Sequence, residues 1–175
     1  MLKRLLMAKS ILFSLIFVSL IVEVFSVEFF AQNKLNPIAK ISNEDVRISL
    51  IKFHSFISSN NKTDHKFLVA EVLIENLSDK TINMGADYSM SIIIIDSKGN
   101  EYKSGIKGAG IVSEFLTKFP DIEQDQKAYN LSFSDQFPPK AKAHSFLCGY
   151  EVPEDVQIVK FGVKKKNLFS EIKHK

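Results

Sequence analysis

A run in which consecutive side chains fall alternately inside and outside must be an extended strand, and this chain imposes that requirement again and again. In Phe67–Asn76 (FLVAEVLIEN), Leu68, Ala70, Val72 and Ile74 face one way, with Glu71 and Glu75 on the other. That is the signature of a half-buried antiparallel strand. Tyr88–Asp96 repeats it with Tyr88, Met90, Ile92 and Ile94 inward, and Lys127–Phe133 with Tyr129, Leu131 and Phe133. Ala143–Val152 sets His144, Phe146, Cys148, Tyr150 and Val152 on one face, and Gln157–Val163 ends the series with Val159, Phe161 and Val163. From Asp45, Val46, Ile48 and Leu50 alternate until the phase slips to Ile51 and Phe53, which predicts a bulge near Leu50–Ile51. Asn76–Lys80 turns the chain, and Thr81–Met84 begins another strand. Ser97-Lys98-Gly99-Asn100 is a tight turn returning into Glu101–Ser104, because Gly99 takes positive φ without strain. A series of short strands without long helical patterns favours a sandwich or barrel.

Gly105–Gln126 breaks the rule. After Gly108 and Gly110, the apolar residues Ile111, Phe115 and Phe119 recur every fourth position with Leu116 beside them. That spacing predicts a short helix or an aromatic-bearing loop. Apolar loop tips are contact surfaces, so Ile111, Phe115, Leu116 and Phe119 are the candidate partner-binding surface. The alternative is a flap over one open end of the sandwich.

The first 26 residues have the three parts of an export signal. Lys3, Arg4 and Lys9 give a positive flank, Ile11–Val22 an apolar stretch, and Val24 and Ser26 small residues at −3 and −1 of a cut. An uncleaved anchor over Leu5–Val22 is the alternative, although that run contains Lys9 and is closed by Glu23. Either reading places the domain outside the cytoplasm. The expected organisation is a signal at residues 1–26, a linker or leading arm at 27–44, a β domain at 45–163, and a basic tail at 164–175 that frays. The formal net charge is +3, and removing Lys3, Arg4, Lys9 and Glu23 leaves about +1, too weak a field for a nucleic-acid binder. Cys148 is the only cysteine, so an intramolecular disulfide and an N-terminal lipid-bearing cysteine are both excluded. Its stability must come from the core.

Three segments together resemble a known pattern. Phe67–Asn76 followed by Leu77–Asp79 is a long alternating strand and then N-x-S. Ile93–Tyr102 (IIIDSKGNEY) is a strand, D-x-x-G and an aromatic. Phe137–Pro153 is a proline turn, a connector and a strand ending in V-P. Over about Asp45 to Val163 the chain resembles a family of secreted bacterial immunoglobulin-like domains of unknown function, similar in fold to a mycobacterial secreted immunoprotective antigen. Members often carry a lipid-anchoring cysteine and a low-complexity linker, both missing here, and Pro139-Lys140-Ala141 replaces the usual glycine after the proline turn. The resemblance implies an all-β, immunoglobulin-like antiparallel β-sandwich of about seven or eight strands behind an N-terminal signal helix. It implies no catalytic residues.

Chemistry-bearing patterns are weak. The histidines at 54, 65, 144 and 174 form no H-E-x-x-H or closely spaced set. His144 and Cys148 hint at copper, but four residues of strand separate them by about 13 Å. Asp96–Glu101 lacks the spacing of a calcium loop and reads as a hairpin turn. No G-x-S-x-G turn occurs, and Glu151, Glu154 and Asp155 read as a solvated loop. The sequons at Asn61, Asn76 and Asn130 are explained by chance and turn chemistry. No catalytic, cofactor-binding or metal-binding residue is therefore assigned. The chain reads as an exported, non-catalytic binding module for an unknown protein or envelope component, meeting a membrane only through an uncleaved N-terminus. The alternatives are a small extracytoplasmic hydrolase and an N-terminally anchored envelope structural protein.

Overall fold

The computed structural model describes residues 36–58, 64–122 and 136–174, and from Pro37 onward these belong to one unit, Pro37–Lys175. The predicted strand Lys127–Phe133 and the segment 1–35 lie outside the described residues. The chain is mostly β, and its sheets are antiparallel. One four-stranded sheet has the order β1 (Ala39–Ser42), β2 (Val46–Phe56), β3 (His65–Asn76) and β8 (Lys142–Pro153). A second has the order β10 (Leu168–Glu171), β9 (Ile158–Val163), β5 (Ile92–Asp96) and β6 (Glu101–Lys103). Short strands β4 (Ile82–Asn83) and β7 (Gln136–Phe137) pair separately. Ile48, Leu50, Val72 and Ile74 of the first sheet share one apolar core with Ile92, Ile94, Phe161 and Val163 of the second.

The long strand and the bulge fall where the alternation sets them, the register of β2 on β3 shifting between Leu50 and Lys52. Gly99 has φ 87° in the predicted turn, and Asp96 organises it. The Asp96 carboxylate accepts from the Lys98 and Asn100 backbone N–H groups, the Asn100 side-chain amide and the Tyr102 hydroxyl. Burial would raise its pKa, but these donors outweigh it and hold it at about 2.

In Gln157–Val163 the register of β9 on β5 slips between Ile95 and Asp96, so Ile158 and not Val159 joins Phe161 and Val163 in the core. Three further expectations need correction. Tyr88–Asp96 is a strand only from Ile92. Asn83 Oδ1 accepts from the Ala86 N–H and starts helix α1 (Met84–Asp87), which runs into a 3-10 turn at Ser89–Ser91. Tyr88 still reaches the core, whereas Met90 is exposed. The basic tail does not fray: Leu168–Glu171 pairs with β9, the Ile172 N–H donates to Val159 O, and Lys173 N–H donates to Ile38 O. That last bond ties the tail to the leading arm, of which Ala39–Ser42 is itself a strand with Ala39 and Ile41 buried.

The third concerns β8. His144 and Phe146 do not share a face with Cys148, Tyr150 and Val152. The register on β3 slips so that Ala70 pairs with Cys148 and Glu71 with Phe146, leaving Leu147 as the extra residue. A bulge reverses the phase, which sends His144 and Phe146 to the outer face and the other three into the core. Cys148 is fully buried, and burial pushes its thiol up to about 12. Since the thiolate is the reactive species, Cys148 should resist DTNB in the native protein and react promptly in urea. Rapid native labelling would contradict this placement.

Candidate functional site

The outer face of the first sheet holds the most organised polar chemistry among the described residues. β3 lies between β2 and β8, so each carboxylate it presents outward is reachable from both sides. Glu75 accepts from Arg47 Nη1 at 2.8 Å and lies 3.3 Å from Lys142 Nζ. Four residues back along β3, Glu71 is buried and held by two imidazoles. His54 Nε2 lies 2.6 Å from its Oε2 and His144 Nε2 2.9 Å from its Oε1, with Lys52 Nζ at 3.5 Å. The two bulges create this set, because they turn Lys52, His54 and His144 to the side already occupied by Glu71.

Burial alone would raise the Glu71 pKa. The hydrogen bonds with His54 and His144, and the charge of Lys52, outweigh burial and hold the carboxyl below its ordinary 4.5. A carboxylate depressed in the folded state stabilises the protein above the unfolded value, and that contribution disappears as pH falls through the folded value. The urea midpoint of the native protein should therefore exceed that of Glu71→Gln at neutral pH, and the two should converge at acid pH. Parallel curves would show that ionised Glu71 contributes nothing.

Helix α2 (Gly105–Lys118) lies across the other half of the same face. Ile111 and Phe115 pack with Phe56, Phe67, Val69 and Phe146 into a second apolar cluster, with Val112 and Leu116 at its margin. The His54 ring stands between Phe115 (5.1 Å between centroids) and Phe146 (5.3 Å, edge-on), so the aromatic and ionic halves meet at this residue. Gly108 and Gly149 let helix and strand backbones touch, and the Gly149 N–H donates to Ser104 Oγ at 3.3 Å.

This arrangement corrects the sequence-derived contact surface. Ile111 and Phe115 are buried against the sheet, Leu116 is partly covered, and only Phe119 is substantially exposed, at 42%. The physical reason is that the four-residue spacing marks the stripe a helix buries, and here a sheet face is available to take it. The helix covers that face and not an open end. Ile57, which follows in the chain the Phe56 whose ring Phe119 meets, is 70% exposed, and its carbonyl accepts from Lys118 Nζ. Ile106 is exposed at the helix's other end.

No protein-family model matches the chain, and no curated protein matches it. Among solved structures it is similar to a conserved hypothetical protein from Bacillus anthracis, with 11% identity and a TM-score of 0.48 over 77% of this chain and 92% of that one. At that distance the likeness carries neither activity nor partner.

The bridge of His54, Glu71 and His144 escaped sequence reading because its members lie on three strands and two bulges bring them together. Its one visible signal was Glu71 on the polar side of the clearest strand. Both carboxylate oxygens are engaged, so Glu71 orients imidazoles and is not itself an open base. Among the described residues, no group of three His, Cys, Asp or Glu side chains is placed to hold a metal ion. Glu151 pairs with Lys107, while Glu154 and Asp155 are exposed.

Proposed function

We propose that this chain is an exported, non-catalytic binding module on an immunoglobulin-like β-sandwich, and that it meets its partner at the end of α2. Two features support the sandwich reading. The two four-stranded sheets share a core, and chain-distant strands pair antiparallel, β3 with β8 and β5 with β9, as crossovers between layers require. The observation that carries the binding reading is the exposed pair Ile57 and Phe119. Phe119 is backed by the rings of Phe115 (5.1 Å) and Phe56 (6.4 Å), so an exposed apolar ring is held in place before any partner arrives. Export rests on the N-terminal signal pattern, and N-terminal sequencing of the protein from its native fraction tests it. For binding, the double substitution Ile57→Ser, Phe119→Ser should abolish specific capture of envelope or secreted components while leaving the melting temperature within about 2 °C, as surface changes do. Unchanged capture by the double variant would overturn the surface.

A second reading, a small extracytoplasmic hydrolase, draws on the convergence of His54, Glu71 and His144. It requires that substitution of either histidine by alanine abolish a measured hydrolytic activity of the purified protein.

A further inference from the structure

We propose that α2 is a strap that opens as its own cooperative unit, below global unfolding, and uncovers the aromatic half of the sheet face together with His54. The main core contains no residue of α2, and the helix's buried apolar side chains, Ile111 and Phe115, belong to the second cluster. Lifting α2 therefore breaks one cluster and leaves the interior between the sheets whole.

The helix has little stability of its own. It is 14 residues long, glycine fills three of its first six positions, Ser104 provides no side-chain cap, and its first turn carries no acidic residue. Isolated helices of that length are marginal even with good formers, and each glycine weakens them further. Its hold on the sheet comes mainly from Ile111 and Phe115. Polar ties among the described residues add to this at the two ends of the helix: Lys107 to Glu151 and the Gly149 N–H to Ser104 Oγ at one, Lys118 to the Ile57 carbonyl and the Ser58 hydroxyl to Glu114 at the other. The β3–β8 ladder beneath, by contrast, pairs from His65 opposite Pro153 to Glu75 opposite Lys142. Opening exposes Phe56, Phe67 and Phe146 on a platform that stays folded, with the His54 ring freed from Phe115. This holds whatever the partner is.

Native-state hydrogen exchange of the full chain in increasing sub-denaturing urea tests it. The Gly108 amide inside α2 donates to Ser104 O and that of the C-cap residue Phe119 to Phe115 O, so amides along the helix report opening. They should exchange through an opening at least about tenfold more populated than that of β3 and β8 amides, with a shallower urea dependence. If α2 and β3 amides follow one isotherm with one slope, the strap is not separate. Ala109→Pro gives an independent check, since proline at this exposed helical position deletes the bond to the Gly105 carbonyl and breaks the helix ahead of Ile111. The sheets should still melt cooperatively, now with dye-binding apolar surface. Failure of Ala109→Pro to fold would overturn the proposal, because α2 would then belong to the global unit.

Discussion

Replacing Asn76 by alanine should destabilise the protein by about 3 kcal/mol, read as the shift in urea-unfolding free energy. Asn76 ends β3 and is 2% exposed. Its side-chain amide donates to the carbonyls of Lys80, Phe137 and Pro138 at 2.8, 3.0 and 2.7 Å. Its Oδ1 accepts from the Ser78 N–H and hydroxyl at 3.0 and 2.9 Å, and its own N–H donates to Ala141 O. One side chain thus joins the turn after β3 to the turn between β7 and β8, and alanine strands the polar groups of both. Asn76→Asp should be worse at neutral pH, since a carboxylate would face three carbonyls without a donor. That variant should recover as pH falls and the carboxyl gains a proton to donate. A loss below about 1 kcal/mol for the alanine variant would mean that water substitutes freely and that the site is no junction. The same burial bears on the sequon Asn76-Leu77-Ser78. Its amide nitrogen is committed to three carbonyls and inaccessible to a glycan, so this motif is turn chemistry in the folded chain.

The sequence made the strands of both layers legible, because period-two alternation follows directly from one face meeting a core. Val72 and Ile74, Ile92 and Ile94, and Phe161 and Val163 all lie where alternation puts them. Phase reversals were harder. The slip at Leu50–Ile51 was visible because Leu50 and Ile51 are consecutive apolar residues. The one at Leu147 was hidden, because His144 and Phe146 continue an apparently regular series with Cys148. Hence the polar bridge around Glu71 was invisible: neither histidine is assigned to its face until the bulges are known. Terminal strands β1 and β10 were missed for a different reason. Four residues provide two inward positions, too few to separate a pattern from chance, even though each strand pairs as a short hairpin with its neighbour in the chain. The helix was half legible: its stripe was correctly periodic, but periodicity cannot say whether a stripe meets a partner or the chain's own sheet.

A methyl group at Gly149 should cost about 2–4 kcal/mol, and one at Gly110 should stabilise by about 0.5–1 kcal/mol. A Cβ on Gly149 would lie 2.6 Å from the Gly108 carbonyl oxygen and 2.7 Å from Ile111 Cβ, both attached to helix backbone that cannot swing aside. Gly149→Ala must therefore push α2 off β8. Gly110 meets nothing within 4 Å, so Gly110→Ala adds helix propensity without collision. The pair separates close approach from mere glycine content. If the strap is its own unit, the cost of Gly149→Ala cannot exceed the free energy that holds α2 down. Larger residues such as Gly149→Val should then give no further loss, with dye-binding surface appearing while the sheets still melt cooperatively. Progressive loss from alanine to valine would place the contact within the global unit. Gly149→Ala with stability unchanged to within about 0.5 kcal/mol would show that helix and strand part easily, and that the aromatic cluster alone seats α2.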